Sequence, residues 1–176
     1  MSYTIKQKIL FLFIMFGALF LIIKSMDNSK YEKIFKSSLV GQEIPNYYLT
    51  SLNGKKVNSK KMLADNSDIK IINFFASWCG ACKLQHKILR FIHNKYQVPV
   101  YGFAWNDNSY DLMNYLIENE NFYTKTVLVT NKRFADELKI NFIPNSVIVD
   151  KNNIIIAHFE GIITPGSFKY FLDQYN

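Results

Sequence analysis

The stretch that decides the fold is residues 69–82, which read IKIINFFASWCGAC. Its first half, Ile69–Phe75, is a near-continuous apolar run of the kind that fills a buried strand. Two cysteines follow, Cys79 and Cys82, and they are the only cysteines among the 176 residues. Apolar residues then recur at helical spacing. The stretch therefore predicts a strand, a short turn and a helix, with both thiols where the strand gives way to the helix.

Two thiols at this spacing can close a small disulfide ring within one chain. The start of a helix supplies unpaired backbone N–H groups and the positive end of the helix dipole, and both stabilise a thiolate. We therefore expect a lowered pKa at Cys79, which makes it a nucleophile at neutral pH. This is the chemistry of thiol–disulfide exchange, in which Cys79 attacks and Cys82 resolves the mixed disulfide.

Two other uses of the cysteines are open. One is a pair of buried, inert thiols. The other is a Cu(I) site, because two thiolates suit that ion and His86 lies one helical turn beyond Cys82. Zinc is not expected, since no second pair of Cys or His stands at a suitable spacing. The preferred hypothesis, thiol–disulfide exchange, needs no metal and no cofactor.

Outward from this stretch, strand and helix signals alternate. Strands are predicted at 47–50, from Val57, at 98–104, 125–129, 146–149 and 154–158, and helices from the cysteines to before Pro99, over 112–117 and 132–138, and from Pro165. This order predicts an α/β fold, a central mixed β-sheet flanked by helices on both faces. The cysteines fall at the carboxyl end of a central strand, where sites form in open α/β sheets.

The formal net charge of +7 raises the possibility of a nucleic-acid partner. The lysines are scattered, however, and the chain has only two arginines, Arg90 and Arg133. Surfaces that read phosphates usually favour clustered arginine. We therefore expect no nucleic-acid partner, and we interpret the lysines as solvated surface residues.

Residues 9–23 form an uncharged apolar run with Lys6 and Lys8 before it and Lys24 after it. As a helix this run spans roughly 22 Å, short of a ~30 Å hydrocarbon core, but snorkelling lysines can close the gap. A cleaved signal peptide is the alternative, although residues 22–26 fit a cleavage site poorly. A buried core helix is a third interpretation. We predict a retained signal anchor over 1–24, a linker over 25–40 and a folded domain over 41–176.

Lysines on both sides of the apolar run leave the orientation unresolved by the positive-inside rule. We choose the orientation that exports the domain, because the remaining sequence makes most sense outside the cytoplasm.

Four stretches occur in the order found in one known group: GQEIPNYYLTSLNGKKV (41–57), NFFASWCGACK (73–83), YGFAWNDN (101–108) and KINFIPNSVIVDKNNII (139–155). On these stretches the chain resembles the thioredoxin-like superfamily over residues 41–175. More narrowly, it resembles the membrane-tethered cytochrome c biogenesis and TlpA/ResA-like thiol–disulfide oxidoreductases of bacteria, the CcmG/DsbE group. The resemblance implies a thioredoxin-like fold.

The resemblance also implies roles for residues around the cysteines. Pro144 would form a cis peptide bond and pack against the disulfide, and the backbone of Ile143 would pair with a substrate strand. Asn73 stands where thioredoxins proper carry a buried acid, and His86 could tune the thiolate electrostatically. Trp78 is expected to shield the thiols as an apolar wall.

The function so implied is that of a single-pass inner-membrane oxidoreductase with its catalytic domain in the periplasm, more a reductant than an oxidant. Its partners would be a cysteine-containing protein such as an apocytochrome c, and a membrane thiol protein that donates electrons. Gln85 and Asn145 stand where cytochrome-maturation members usually have Glu, so the acidic surroundings of that group are reduced here. General periplasmic disulfide reduction without a haem role is an alternative, beside an anchored Cu(I) chaperone.

Overall fold

The computed structural model describes residues 5–175. The chain divides into two compact units, with the boundary after Lys33. The first unit contains helix α1, Ile5–Tyr31, and its large apolar side chains between residues 9 and 23 are exposed. No helix in the described part of the chain combines the length and the hydropathy needed to cross a membrane. The anchor, linker and domain boundaries given above stay predictions.

The second unit is an α/β domain. Its strands are β1 Tyr48–Ser51, β2 Lys56–Asn58, β3 Ile69–Phe75, β4 Val100–Trp105, β5 Lys125–Val129, β6 Asn145–Asp150 and β7 Ile155–Glu160. Its helices are α2 Ser59–Met62, α3 Gly80–Tyr96, α4 Ser109–Glu118, α5 Lys132–Glu137 and α6 Pro165–Tyr175, and a short 3-10 helix, Glu32–Phe35, stands at the boundary between the units. Helix α2 was not predicted from the sequence.

The seven strands form one sheet in the order β2-β1-β5-β4-β3-β6-β7. Strands β3, β4 and β5 run parallel to one another, and the other neighbouring strands pair antiparallel. The prediction of a central mixed sheet is confirmed. Strand β3 lies between β4 and β6, and six of its seven residues are buried, as its apolar sequence requires.

Helices cover both faces of the sheet and bury a core on each side. One core joins residues of β3 to α3, α4 and α6, and it includes both cysteines. The other joins the opposite-facing residues of β3 and β4 to α2 and α5. Because side chains alternate along a strand, β3 contributes Ile71 and Phe75 to the first core, and Ile72 and Phe74 to the second.

Helix α3 positions the site because it begins directly after the turn that follows β3. Its N-cap is Cys79 and its C-cap is Gln97. Gln97 has a left-handed φ of 55°, and its N–H bonds to the His93 carbonyl. Pro99 follows two residues later, as the sequence predicted.

Candidate active site

The two cysteines form a disulfide at the start of α3, with their Cα atoms 5.2 Å apart. The two cysteine residues are both buried but differ in access, since Cys79 is 8% exposed and Cys82 only 1%. A partner thiol can therefore reach Cys79 more readily than Cys82.

The helix start is directed at one sulfur. Cys79 is the N-cap residue, and its Sγ accepts a hydrogen bond from the backbone N–H of Cys82 at 3.2 Å. In most helices a Ser, Thr or Asp oxygen occupies this place. When the disulfide is reduced, the same N–H and the helix dipole stabilise negative charge on the Cys79 sulfur.

The carbonyl of Ile143 lies beside the first cysteine, and Pro144 is the next residue in the chain. The peptide bond between them is cis, and the carbonyl oxygen of Ile143 is 3.9 Å from the Cys79 sulfur. Pro144 is buried immediately before β6, and Ile143 is partly exposed. The backbone of Ile143 thus stands beside the more accessible sulfur, where an incoming extended segment would meet it.

Trp78 precedes the disulfide and is 60% exposed. Its indole N–H donates to the carbonyl oxygen of Asn106 at 3.0 Å. The side chain is fixed at its polar end and leaves most of its apolar surface to solvent. The expectation that Trp78 shields the thiols is not tested by this contact.

Asn73 lies on β3 between Ile71 and Phe75, on the same face of the strand, and it joins a buried chain of hydrogen bonds. Its Nδ2 donates to the Tyr123 hydroxyl oxygen at 2.8 Å, and its Oδ1 accepts from the Ser146 hydroxyl at 3.1 Å. Burial raises the pKa of Tyr123 well above its ordinary value, so this hydroxyl stays neutral. The whole chain is uncharged, and it satisfies both ends of the Asn73 amide.

A second tyrosine contacts the helix that bears the cysteines. The Tyr115 hydroxyl donates to the backbone carbonyl of Cys82 at 3.3 Å. Burial raises the pKa of Tyr115 to about 12, so it too remains a neutral donor. It ties α4 to the first turn of α3.

His86 is buried in an aromatic pocket. Its ring lies edge-on to those of Tyr115, Phe122 and Tyr123, and its Nε2 is 3.3 Å from the Glu120 carbonyl oxygen. Burial lowers the pKa of His86, against a smaller opposing effect of the Glu120 carbonyl. The ring is therefore neutral at pH 7. Among the described residues, no group of three or more His, Cys, Asp or Glu side chains is arranged to hold a metal ion.

Gln85 and Asn145, the two amides singled out in the sequence, are both buried. Gln85 Oε1 accepts the Ile163 N–H at 2.9 Å. Asn145 Oδ1 lies 3.0 Å from His158 Nε2, and His158 Nδ1 lies 2.8 Å from the Ser37 hydroxyl. Each amide thus links two segments in a buried environment, where a carboxylate would need a compensating charge.

Comparison with known proteins assigns this arrangement to a family. Residues 39–170 match the family described as Redoxin, which is three quarters of the chain. The chain belongs to the Redoxin family. Its N-terminal α1 lies outside the matched region.

This redoxin is similar to proteins named thiol:disulfide interchange protein DsbE. The similarity is 24% identity to that of Xylella fastidiosa strain Temecula1, over 87% of this chain and 75% of the relative. It is also 24% identity to that of Escherichia coli K12, over 74% and 70% of the two chains. A third relative, named HelX, comes from Rhodobacter capsulatus and is 25% identical over 73% and 72%.

Solved structures share the redoxin's fold. The thioredoxin domain of a thiol-disulfide oxidoreductase from Bacteroides vulgatus superposes with a TM-score of 0.65 at 16% identity, covering 79% of this chain and 99% of that one. A thio-disulfide isomerase from Thermus thermophilus gives 0.60 at 23% identity, covering 77% and 95%. The protein is a thiol–disulfide oxidoreductase of the thioredoxin superfamily, of DsbE type.

The structure brings the predicted site residues together to different degrees. Cys79, Cys82 and Ile143 meet at the disulfide, with Pro144 next in the chain. Over residues 5–175, the other three make no hydrogen bond to the sulfurs. Trp78 is next to Cys79 in the chain, Asn73 bonds to Tyr123, and His86 packs against Tyr115.

Sequence reasoning missed three side chains that hold this redoxin site: Tyr115, Tyr123 and Asp107. The two tyrosines bind Cys82 and Asn73, and Asp107 binds Ser77. Asp107 lies inside the motif YGFAWNDN, which was recognised as a unit without a role for any one of its residues.

Proposed function

We propose that Cys79 is the attacking thiolate and Cys82 the resolving thiol of a membrane-anchored disulfide reductase. The observation that carries the proposal is the hydrogen bond from the Cys82 N–H to the sulfur of Cys79, the more exposed of the two cysteines. A hydrogen bond to a charged acceptor contributes about 1.5–3 kcal/mol, so this contact favours the thiolate of Cys79 over its thiol.

The exchange proceeds in two balanced steps. The Cys79 thiolate attacks one sulfur of a partner disulfide, the partner's S–S bond breaks, and its other sulfur leaves as a thiolate. The Cys82 thiol then loses its proton and attacks Cys79, which closes the Cys79–Cys82 disulfide and releases the second partner thiol. The partner gains two electrons, and a thiol protein in the membrane must return two electrons to this protein.

Exposed groups around the disulfide support a protein as the partner. The Ile143 backbone offers main-chain pairing beside the sulfur. Two exposed aromatic residues, Trp78 and Phe142, each directly precede one of the two segments that meet at Cys79. Together they offer an apolar rim to an extended, cysteine-containing peptide.

The finer assignment concerns the place and the pathway. Residues 9–23 form the uncharged run that supports an anchor in the inner membrane, with the catalytic domain in the periplasm. The resemblance to the CcmG/DsbE group supports apocytochrome c as the partner. The same resemblance supports electron flow toward the partner.

Insulin reduction by the full-length protein in detergent tests the catalytic assignment. Wild type is expected to reduce insulin with dithiothreitol as electron source, and Cys79→Ser to be inactive. Cys82→Ser is the matched variant, because it keeps the attacking thiol and should accumulate a mixed disulfide. Equal activity of wild type and Cys79→Ser would refute the role of Cys79.

Direction and partner need two further measurements. A midpoint potential of the Cys79–Cys82 couple well below that of glutathione supports a reductant, and a value near the oxidising end reverses the direction. The Cys82→Ser variant is then offered an oxidised CxxCH peptide and an unrelated disulfide peptide of equal length. Preferential trapping of the first supports an apocytochrome partner, whereas equal trapping supports general disulfide reduction.

A further inference from the structure

The loop that follows β4 contacts the segment that carries the reactive cysteine. Asp107 accepts two hydrogen bonds from Ser77: one from its backbone N–H at 2.6 Å, and one from its hydroxyl at 2.8 Å. Both oxygens of the carboxylate are used, because the N–H bond goes to Oδ2 and the hydroxyl bond to Oδ1. Asp107 therefore fixes both the backbone and the side chain of a residue two positions before Cys79.

The carboxylate is itself held in place. Its Oδ1 also accepts the N–H of Asn108, the N-cap residue of α4, at 2.8 Å. Asp107 is partly buried, so solvent competes only in part for its oxygens. Hydrogen bonds to an ionised carboxylate are stronger than bonds between neutral groups. The contact is thus a charge-assisted clamp between the β4–α4 loop and the β3–α3 turn.

A second contact joins the same two segments. The Trp78 indole donates to the carbonyl of Asn106, directly before Asp107. Asn106 has a left-handed φ of 51°, a conformation that Asn adopts more readily than most residues. Its own N–H bonds to the Val129 carbonyl at 3.4 Å, so the loop is tied to the end of β5. Two successive residues, Ser77 and Trp78, are therefore fixed by two successive residues of the loop.

The clamp acts where Cys79 must be placed. Between the end of β3 and α3 the chain makes one tight turn, in which the Cys79 N–H bonds to the Ala76 carbonyl at 3.2 Å. Ser77 and Trp78 are the two central residues of that turn. In the reduced protein the disulfide bond no longer holds the Cys79 sulfur in place. The conformation of Ser77 and Trp78 then decides whether this sulfur stays within hydrogen-bond distance of the Cys82 N–H.

We propose that Asp107 is a positioning residue for thiol–disulfide exchange: by clamping Ser77 it holds the reduced Cys79 sulfur at the start of α3. The inference rests on the proposed role of Cys79 as the attacking thiolate. Asp107 touches neither sulfur in this role. It acts through the Ser77–Trp78 turn, and its loss lets the thiolate move away from the N–H that stabilises it.

The test separates the clamp from the charge. Asp107→Asn and Asp107→Ala both remove the negative charge and the bond from the Asn108 N–H to Oδ1. Only Asn can still accept the Ser77 N–H and donate to the Ser77 hydroxyl. Asp111→Asn and Asp111→Ala form a matched control, since Asp111 is exposed, lies four residues further on and contacts Asn108 rather than Ser77. All four changes are made in the full-length Cys82→Ser protein, so that iodoacetamide reports on Cys79 alone.

We expect Cys79 in Asp107→Ala to be alkylated about three- to tenfold more slowly at pH 7 than in Asp107→Asn, as for the loss of a modest hydrogen bond to the thiolate. The pH midpoint of alkylation should rise in parallel, a shift that a purely structural role would not produce. The two Asp111 variants should alkylate alike. Equal rates and midpoints in the two Asp107 variants overturn the inference, even if Asp107→Ala lowers the melting temperature.

A second variant keeps the test decisive if Asp107→Ala does not fold. Ser77→Ala removes only the hydroxyl arm of the clamp, and it should slow alkylation about twofold; an unchanged rate overturns the inference. Failure of the proposed function looks different. In that case wild-type Cys79 alkylates like an ordinary thiol, or Cys79→Ser still reduces insulin, whatever the Asp107 variants do.

Discussion

Replacing Asn73 by Asp introduces a buried acid, and the structure predicts its effect on stability. Asn73 is 1% exposed, and its amide lies between the hydroxyls of Tyr123 and Ser146. A protonated Asp has the same shape and the same ability to donate to Tyr123 and accept from Ser146. The neutral acid therefore fits, and the ionised acid must be desolvated in a site that offers no cation among these contacts.

The magnitude follows from burial and from the two hydroxyls. Full burial raises a carboxyl pKa by up to about 3–5 units, and hydroxyl donors to the ionised form reduce this rise. We expect a rise of about two to three units, equivalent to about 3–4 kcal/mol of lost stability once the acid ionises. Since the folded pKa lies above the unfolded value of about 3.9, the loss is absent below pH 4. It grows with pH and levels off above the folded pKa.

Urea denaturation of the oxidised protein at pH 4.5 and pH 7.5 measures this difference. Asn73→Asp should be close to wild type at the lower pH and lose at least about 2 kcal/mol more at the higher pH. Asn114→Asp is the matched control, since Asn114 is exposed and the same change there should have little pH dependence. A wild-type-minus-variant difference that is the same at both pH values would refute the reasoning.

Two further predictions concern the supporting core. A Cβ on Gly102 would lie 3.1 Å from the Phe75 ring, the Tyr123 ring and the Thr126 hydroxyl, so Gly102→Ala should destabilise the protein by about 1–3 kcal/mol, as overpacking does. A Cβ on Gly80 meets nothing within 4 Å, so Gly80→Ala should not lower the melting temperature; equal melting temperatures of the two variants would contradict the packing argument. Burial lowers the pKa of His86 and of His158 below the unfolded value of 6.5, so the unfolded chain takes up protons before the folded chain does. The free energy of unfolding should therefore fall as the pH drops below 6.5. The fall is at most about 1.4 kcal/mol per pH unit for each histidine. Urea titrations at pH 7.5, 6.5 and 5.5 measure this pH dependence. A wild-type unfolding free energy that is the same at pH 6.5 and 5.5 would contradict the argument. So would a pH dependence that His86→Gln and His158→Gln leave unchanged.

Much of the fold could be predicted because local pattern and tertiary environment agree. Ile69–Phe75 is apolar except for Lys70 and Asn73, and it becomes a buried strand. Pro99 stops α3 where it was expected to, and Asn53-Gly54 turns β1 into β2. Helix α2, Ser59–Met62, was missed because a four-residue helix has no periodicity to detect. Its only sequence signal is Asn58, whose side chain accepts the N–H of Lys61.

From residue spacing alone, the candidate site could be predicted only where its residues lie close together in the sequence. The spacing of Cys79 and Cys82 is local, so the helix-start geometry followed from the sequence. Contacts between distant residues did not follow from spacing. The Ile143 segment was expected beside Cys79 only from the resemblance. Ser77 and Asp107 are 30 residues apart, and their contact depends on the conformation of a loop. The burial of Gln85 was likewise hidden, because a polar residue on an amphipathic helix is expected to face solvent.

The short segment Gly41–Ile44 has a consequence for how this protein can be shortened. Its backbone bonds along the start of β7, where the Gly41 N–H meets the Ile155 carbonyl, the Ile155 N–H meets the Gln42 carbonyl and the Ile44 N–H meets the Asn153 carbonyl. It thereby covers part of the outer edge of β7, whose backbone groups could otherwise pair with a strand of another molecule. A fragment that starts after Ile44 exposes this strand edge and should associate with other copies of itself, whereas a fragment that starts at Ile34 keeps the edge covered.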